Sequence, residues 1–154
     1  MRNADIIRNK KHLDDLFDKI DNISPDPEMM SHWAKYLCVL VSGFIETSVT
    51  SIFTEYTRDK SNDYISAFIN SNLKRFTNPY MGKIIELAHS FNPQWATNLQ
   101  IESEGEQKDA IDSIVANRNR IAHGKSVGIT YIRIKEYYKS ALKVIEFIDN
   151  QCNR

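Results

Sequence analysis

Apolar side chains recur at steps of three and four residues along most of the chain, which is the spacing of one helix face. The first such stripe contains five residues: Ile6, Leu13, Leu16, Phe17 and Ile20. The last contains six residues: Ile134, Tyr138, Ala141, Ile145, Ile148 and Cys152. Strand-like alternation is not sustained anywhere. The pattern therefore predicts an all-α fold, with the charged positions between the stripes facing solvent.

Short motifs mark where the predicted helices begin. In Asp26–Pro27 the aspartate can cap a helix whose first residue is proline, where the missing N–H is not needed. The same Asx-Pro step recurs at Asn78–Pro79 and at Asn92–Pro93, and each predicts a further helix start. Ser103 and Glu106 have the spacing of a capping box, so another helix is predicted to start there.

The segment from Pro27 to Lys60 is predicted to form a long central helix. Residues 36–54 carry Glu46 as their only charge, which is also compatible with a membrane span. Six serine and threonine side chains in the same stretch favour a helix buried within the protein instead. The whole pattern predicts one domain over residues 1–154, an all-α bundle of about six helices.

Composition narrows what such a bundle can bind. Lys and Arg total 20 and so do Asp and Glu, so nucleic-acid binding would depend on a local basic patch. Cys38 and Cys152 lie far apart in apolar helical patterns, which is typical of reduced core thiols in a cytoplasmic protein. The first residues lack the apolar core of a signal peptide. We therefore expect a cytoplasmic protein without membrane association.

The sequence IVANRNRIAHGKS, at residues 114–126, is the strongest candidate for chemistry. Gly124 is placed to end the preceding helix in the left-handed conformation, which makes His123 the last helical residue. The negative end of the helix dipole favours a protonated imidazole, whereas Arg118 and Arg120 oppose it. The balance predicts a histidine that exchanges its proton near neutral pH, as a general acid or base must.

Spacing on the helix decides which of these side chains can act together. Asn119 precedes His123 by four residues, so the amide shares a face with the ring and can orient it or a bound phosphate. Arg118 lies ~140° round the helix from His123, since each residue turns the helix by ~100°. The arginine of one copy would meet the histidine of a second copy more readily than its own, which hints at a dimeric site.

Other combinations of reactive side chains are incomplete. Glu86 and His89 have the Glu-x-x-His spacing of helical di-iron sites, but the second such motif and the further carboxylates are absent. His12 and His32 have no partner at metal-ligand spacing. The sequence contains neither a glycine-rich phosphate loop nor a Gly-x-Ser-x-Gly turn. We expect no metal and no cofactor.

Positive charge is concentrated around and after the motif. From Arg118 to Lys143 there are seven Lys or Arg residues and one acidic residue. Lys135, Lys139 and Lys143 form a row on one helix face with tyrosines nearby, and with Lys125 they are candidates for RNA binding. The alternative is a solvated lysine face with the tyrosines packed at the edge of the core.

One acidic residue interrupts the most apolar stretch of the chain. Glu46 lies within YLCVLVSGFIETSV, and a buried carboxylate needs a partner. We expect Arg118 or Arg120 to pair with it, either to orient catalytic groups or only to satisfy the charge. Glu46 and Arg120 are therefore accessory candidates for the site.

The motif RNRIAHG resembles the signature of HEPN domains, in which Arg is followed by Asn, His or Asp and then, after a short spacer, by His. HEPN domains are helical bundles of similar length. The stretches YLCVLVSGFIETSVTSIF and ANRNRIAHGKSVGIT, followed by a long closing helix, are similar to the branch called RiboL-PSP-HEPN. The similarity runs from about Trp33 to Asp149.

The resemblance implies a metal-independent endoribonuclease that acts as a homodimer in bacterial toxin–antitoxin or anti-phage systems. Two copies of the motif would face one another across the dimer cleft. Arg118 would hold the scissile phosphate, Asn119 would orient the site, and His123 would be the general base or acid as the ribose 2′-OH attacks. The RNA would thus supply its own nucleophile.

The resemblance also bears on partners. Lys125 stands where family members paired with minimal nucleotidyltransferases have a tyrosine that can be modified. We therefore expect a separate protein antitoxin or an immunity partner rather than regulation at that tyrosine. A non-catalytic HEPN-like module that binds RNA or protein is the alternative function.

Overall fold

Seven helices and no strand make up the chain in the computed structural model, which describes residues 1–154. They are α1 (Ala4–Ile23), α2 (Pro27–Lys60), α3 (Asp63–Leu73), α4 (Met81–Phe91), α5 (Pro93–Ser103), α6 (Glu106–Ala122) and α7 (Tyr131–Cys152). The prediction of an all-α bundle with a long second helix is confirmed. The bundle has one helix more than the six expected.

The long helix α2 lies at the centre of the bundle. It packs against α1, α3, α6 and α7, and a continuous core of 29 buried residues includes side chains from all seven helices. By length and composition alone α2 could span a membrane, but 56% of its most apolar window is buried inside the fold. Packing against the other helices therefore accounts for its apolar character.

Two of the three Asx-Pro steps begin helices as predicted. Asp26 Oδ1 accepts a hydrogen bond from the Met29 N–H at 2.9 Å at the start of α2. Asn92 Oδ1 accepts one from the Gln94 N–H at 2.9 Å at the start of α5. In both cases proline takes the first turn, where its fixed φ suits the helix and no donor is lost.

The third Asx-Pro step does not begin a helix, and that prediction is wrong by two residues. Asn78 adopts a left-handed conformation with φ 52°, Pro79 is buried, and α4 starts at Met81. The N–H of Met81 donates to Asp112 Oδ1 of α6 at 2.8 Å. A side chain from another helix therefore supplies the cap, and no local motif encodes such a contact.

The predicted capping box at Ser103 and Glu106 is also wrong. Ser103 is buried and is the last residue of α5. The next helix starts at Glu106, after Gly105 with φ 87°, and no side chain caps it. The Glu106 carboxylate instead accepts a hydrogen bond from Ser140 Oγ at 3.2 Å, which joins α6 to α7.

Helix α3 has no counterpart among the predicted helices. Its start is capped locally, because Asn62 Oδ1 accepts a hydrogen bond from the Ile65 N–H at 3.0 Å. Leu73 is its only buried residue, whereas Tyr64 and Phe68 are 90% and 70% exposed. A helix is recognised in a sequence by its buried stripe, and α3 does not have one.

Tyrosines of α7 fasten it to α1. Tyr131 donates its hydroxyl to Asp21 Oδ1 at 2.6 Å, and Tyr138 donates to Asp14 Oδ1 at 2.7 Å. The Phe17 ring packs against both phenol rings, with centroids 5.9 and 5.1 Å away. Burial is the largest cause that raises the pKa of both tyrosines, and the hydrogen bond to the carboxylate is the second. Both hydroxyls are therefore donors at neutral pH.

Both cysteines are free and buried, which confirms that they are core thiols. Burial raises the pKa of Cys38 and of Cys152 to about 12, so both remain protonated and unreactive near neutral pH. Cys38 Sγ lies 3.4 Å from the Ile114 carbonyl oxygen, which marks where α2 crosses α6.

Replacing Tyr138 with phenylalanine removes one partly buried hydrogen bond and leaves the Asp14 carboxylate with one donor fewer. We expect Tyr138→Phe to lower the free energy of unfolding by about 1 kcal/mol, measured by urea denaturation. Tyr64→Phe is the matched control and should change it little, because Tyr64 is 90% exposed. Equal effects of the two substitutions would contradict a stabilising role for the α1–α7 hydrogen bonds.

Candidate active site

Helix α6 ends in a hydrogen-bonded C-terminal cap, the glycine stop at Gly124. Gly124 has φ 69°, and its N–H donates to the Ile121 carbonyl at 3.1 Å, while the N–H of Lys125 donates to the Arg120 carbonyl at 2.8 Å. This pair of bonds is the Schellman arrangement, so the predicted glycine stop is confirmed. His123 is the capping residue directly after the helix, not its last residue.

The imidazole of His123 projects from this stop into solvent. Its main chain is held in place, because the His123 N–H donates to the Asn119 carbonyl at 3.1 Å. Its side chain is exposed and takes part in no hydrogen bond or ion pair within the chain. Both ring nitrogens are therefore available to a ligand, and either can give or take a proton.

The amide of Asn119 joins two neighbouring groups. Its oxygen accepts a hydrogen bond from Arg118 Nη1 at 3.3 Å, and its Nδ2 donates to the Tyr80 hydroxyl at 3.3 Å. Tyr80 immediately precedes α4, so this contact connects the motif to a second helix. Tyr80 could not be identified from the sequence, because no spacing rule relates residues 39 positions apart.

Arg118 and His123 are not brought together within one chain. No hydrogen bond joins them, and a separation of five residues corresponds to a rotation of ~140° on an ideal helix. Arg118 follows Ile114 by four residues and so leaves α6 on the side that faces α2, where Ile114 meets Cys38. His123 lies towards the opposite side, at the helix end. A single chain thus presents the two groups on different faces.

Glu46 does not pair with Arg118 or Arg120, so the expected ion pair is absent. Its side chain is only half-buried, so water can solvate the carboxylate without a cationic partner. The site is also distant from it. Glu46 lies two turns (~12 Å) along α2 from the crossing at Cys38. The start of α2 lines a cavity with residues 127–131, which follow α6. The end of α6 therefore lies towards the start of α2, whereas Glu46 lies beyond Cys38 in the opposite direction.

The lysine row lies beside α1. Lys135 forms an ion pair with Asp21, and the pKa of Asp21 is lowered, first by its hydrogen bond to Lys135 and then by that to Tyr131. Lys139 lowers it further through its charge, and Lys143 is exposed one turn along. Asp21 of α1 therefore offsets the charge of Lys135, whereas Lys139 and Lys143 form no ion pair.

The opposite side of α7 faces the end of α6. There a cleft of about 380 Å³ is lined by Asn117, Gly128, Ile129, Thr130, Arg133 and Tyr137, and we call it the α6–α7 cleft. Lys125 is exposed on the connection between the motif and this cleft. Arg133 was not among the predicted site residues, because nothing local shows that it turns towards α6 while the neighbouring lysines turn towards α1.

No group of three or more His, Cys, Asp or Glu side chains in the structure could hold a metal ion. Glu86 and His89 are both exposed on α4, and no third ligand accompanies them. The arrangement at the end of α6 can supply proton transfer from an imidazole, positive charge from guanidinium groups and an orienting amide. These are the functions that transfer of a phosphoryl group requires of side chains.

Comparison with known families identifies the chain. The family model described as RiboL-PSP-HEPN matches residues 4–154 and so covers all seven helices. The chain belongs to the RiboL-PSP-HEPN family. No curated protein and no solved structure matches it. The match confirms the resemblance and extends it over α1 and the first residues of α2, which lie before Trp33.

Membership places this RiboL-PSP-HEPN chain among HEPN-type modules, which are nuclease-like or bind RNA. Within the RiboL-PSP-HEPN fold, the signature residues Arg118, Asn119 and His123 lie at the end of α6, next to the start of α4. Their roles remain predictions, and the geometry decides only where they lie.

The glycine stop of this RiboL-PSP-HEPN chain can be tested by stability. We expect Gly124→Ala to lower the free energy of unfolding by ~1 kcal/mol, because alanine disfavours a positive φ. Gly43→Ala is the control: Gly43 is an exposed helical position with no atom within 4 Å of an added Cβ. It should raise the free energy by ~0.5–1 kcal/mol. The same sign for both would contradict the left-handed stop.

Proposed function

We propose that this protein is a metal-independent endoribonuclease of HEPN type, which acts as a toxin or anti-phage effector in the cytoplasm. The observation that supports the proposal best is the exposed, unpaired imidazole of His123 on a fixed helix end. Arg118 and Asn119, of the same motif, are hydrogen-bonded to each other. Residues 113–133 contain four Lys or Arg and no acidic residue, so this surface attracts a phosphate backbone.

The proposed reaction needs only proton transfer and charge stabilisation. The ribose 2′-oxygen attacks the adjacent phosphorus while its proton passes to an imidazole of His123. The bond from phosphorus to the 5′-oxygen breaks, and that oxygen takes a proton from an imidazolium or from water. Arg118 stabilises the charge on the non-bridging oxygens. The products are a 2′,3′-cyclic phosphate and a 5′-hydroxyl end.

The active site is proposed to form between two copies of the chain. Arg118 and His123 lie on different sides of α6, so a phosphate bound to one is poorly placed for the other in the same chain. Two copies meeting near their α6 ends would place the arginine of each opposite the histidine of the other. A two-fold axis would produce two equivalent sites.

Regulation is proposed to come from a separate protein antitoxin or immunity partner. Lys125 occupies the position of the modifiable tyrosine, so chemical modification at that position has no acceptor hydroxyl. A protein partner could instead cover the end of α6, where His123 and Lys125 are exposed.

The second candidate is a non-catalytic module that binds a protein. A groove of about 550 Å³ between α3 and α4 favours it. Its apolar lining comes from Ile69, Leu73, Phe76, Leu87 and Phe91. The neighbouring Tyr64 and Phe68 are strongly exposed, and contiguous exposed apolar surface is typical of interaction sites. In this alternative His123 has no chemical role.

Cleavage assays distinguish the two candidates. We expect the wild-type protein to cleave single-stranded or transfer RNA in excess EDTA and to leave 2′,3′-cyclic phosphate ends. His123→Ala should reduce the rate about 100-fold or more, because general acid–base catalysis contributes at least that much. His89→Ala is the matched control, since His89 is exposed on α4. Equal cleavage by wild type and His123→Ala would contradict the nuclease proposal, and loss in EDTA would contradict the metal-free mechanism.

Mixing two inactive variants tests the shared site. In a dimer of one Arg118→Ala and one His123→Ala subunit, one site loses both groups and the other keeps both. If subunits exchange at random, a 1:1 mixture should recover roughly a quarter of the wild-type activity. Failure to recover activity, with subunit exchange verified by differently tagged copies, would place Arg118 and His123 in the same subunit. A strictly monomeric mass by light scattering would also exclude the shared site.

A further inference from the structure

We infer that the α6–α7 cleft is an RNA subsite, which binds one nucleotide flanking the cleaved bond. The base would stack on Tyr137 and the phosphate would bind Arg133. The inference rests on the proposed nuclease function, because it assigns the cleft to the same RNA strand. It adds three residues, outside the Arg-Asn-His motif, that contact the substrate without taking part in proton transfer.

The cleft has the size and lining of a nucleotide site. Its volume of about 380 Å³ lies within the range of roughly 300–1,000 Å³ that is usual for small-molecule pockets. Asn117 contributes an amide whose Nδ2 donates to the Ser113 carbonyl at 2.8 Å. The amide oxygen accepts no hydrogen bond within the chain, so it can accept one from a base edge.

Tyr137 provides the stacking surface. Its side chain is half-buried, and its ring is covered by the Arg133 guanidinium, 5.8 Å from the centroid. The guanidinium is otherwise held only by Glu136, at 3.3 Å, in a pair whose side chains are 60% and 58% exposed. Such surface pairs are weak. Turning Arg133 towards a phosphate would therefore require little free energy, and it would uncover the Tyr137 ring for a base.

Charge favours RNA at this cleft over the lysine row on the other side of α7. Among residues 113–133, Arg118, Arg120 and Lys125 form no ion pair and Arg133 forms only the exposed pair with Glu136, whereas Lys135 is paired with Asp21 of α1. Neutralisation of phosphates by unpaired Lys or Arg provides most of the sequence-independent affinity for nucleic acid. The α6–α7 cleft thus combines positive charge with an aromatic face, as single-strand binding surfaces do.

A continuous edge of α6 leads from the cleft to the histidine. Asn117, Arg120 and His123 follow one another at steps of three residues, so neighbouring members of this row lie ~60° apart round the helix and its two ends lie ~120° apart. The rise from Asn117 to His123 is ~9 Å. That separation suits a nucleotide next to the reacting phosphate, with Arg120 between the two positions. It is too long for one phosphate to contact both ends of the edge.

Binding of an uncleavable RNA tests the subsite separately from the nuclease. The probe is a fluorescein-labelled single-stranded RNA with 2′-O-methyl riboses, which lack the attacking hydroxyl. Measured by fluorescence anisotropy, Tyr137→Ala should weaken binding about tenfold, and Tyr137→Phe should bind like wild type because the ring remains. Arg133→Ala should weaken binding and reduce the slope of log affinity against log salt by about one.

Matched controls come from elsewhere on the chain. Arg58 is an exposed arginine that, like Arg133, forms a surface ion pair three residues away, with Glu55, and it also pairs with Asp59. Tyr64 is exposed on α3. Arg58→Ala and Tyr64→Ala should leave affinity and salt slope unchanged. Circular dichroism and thermal unfolding of every variant check that the fold is kept, and Tyr137→Phe separates loss of the ring from loss of structure.

The outcomes separate the subsite from the nuclease proposal. Wild-type affinity in Tyr137→Ala and Arg133→Ala, or no binding of the probe by wild type, would overturn the subsite. Loss of affinity only in Lys139→Ala and Lys143→Ala would move RNA binding to the lysine row and also overturn it. Tyr137-dependent binding by a wild-type protein that cleaves no RNA would refute the nuclease proposal and leave a binding cleft.

Discussion

Burial of α2 is the constraint on which the rest of the structure depends. A helix of 34 residues with apolar side chains on several faces is stable in water only if other helices cover it. Helices α1, α3, α6 and α7 all pack against it, and the start of α1 reaches its later part, where Asn3 donates to Glu55. Phe53 of α2 stacks on Phe91 of α4, 4.6 Å between centroids, where the α4–α5 pair closes the bundle. Each of these helices is positioned by what it buries on α2.

This dependence places the candidate site. Helix α6 crosses α2 at Ile114 and Cys38, and its last two turns extend beyond that crossing. The turns that continue past the core carry the motif, so their polar side chains are free to bind a ligand while the preceding turns hold the helix in place. The start of α4 then supports the free end through Tyr80 and Asn119. The earlier turns of α6 thus contribute to stability, and its last two turns carry the candidate site.

The sequence predicted features that are encoded locally and missed those that depend on distant contacts. Apolar periodicity and start motifs predicted six helices. Helix α3 was not predicted, because Leu73 is its only buried residue. The stop at Gly124 was predicted because left-handed glycine caps are local. The capping box at Ser103 failed because tertiary packing buries that serine at the end of the previous helix. Glu46 was misjudged because an apolar neighbourhood in the sequence did not mean burial in space.

The same distinction holds for the site. Arg118, Asn119 and His123 could be selected from one short motif, together with the family resemblance. Tyr80 could not, because its contact with Asn119 depends on how α4 packs against α6. The orientation of α7 could not be predicted from the sequence either. Only the fold shows that Lys135 faces Asp21 while Tyr137 faces the end of α6.

Because of the glycine stop, the backbone of His123 loses its conformational entropy on folding and not on binding. The bonds around Gly124 fix the backbone of His123 when the chain folds, so only the torsions of its side chain remain to be ordered when a substrate arrives. Ordering a flexible loop would instead subtract from binding affinity at every encounter. A histidine on a preorganised helix end therefore combines a mobile ring with a stationary Cα. In the proposed reaction, such an anchor would let the ring exchange a proton first with the ribose 2′-oxygen and then with the leaving 5′-oxygen.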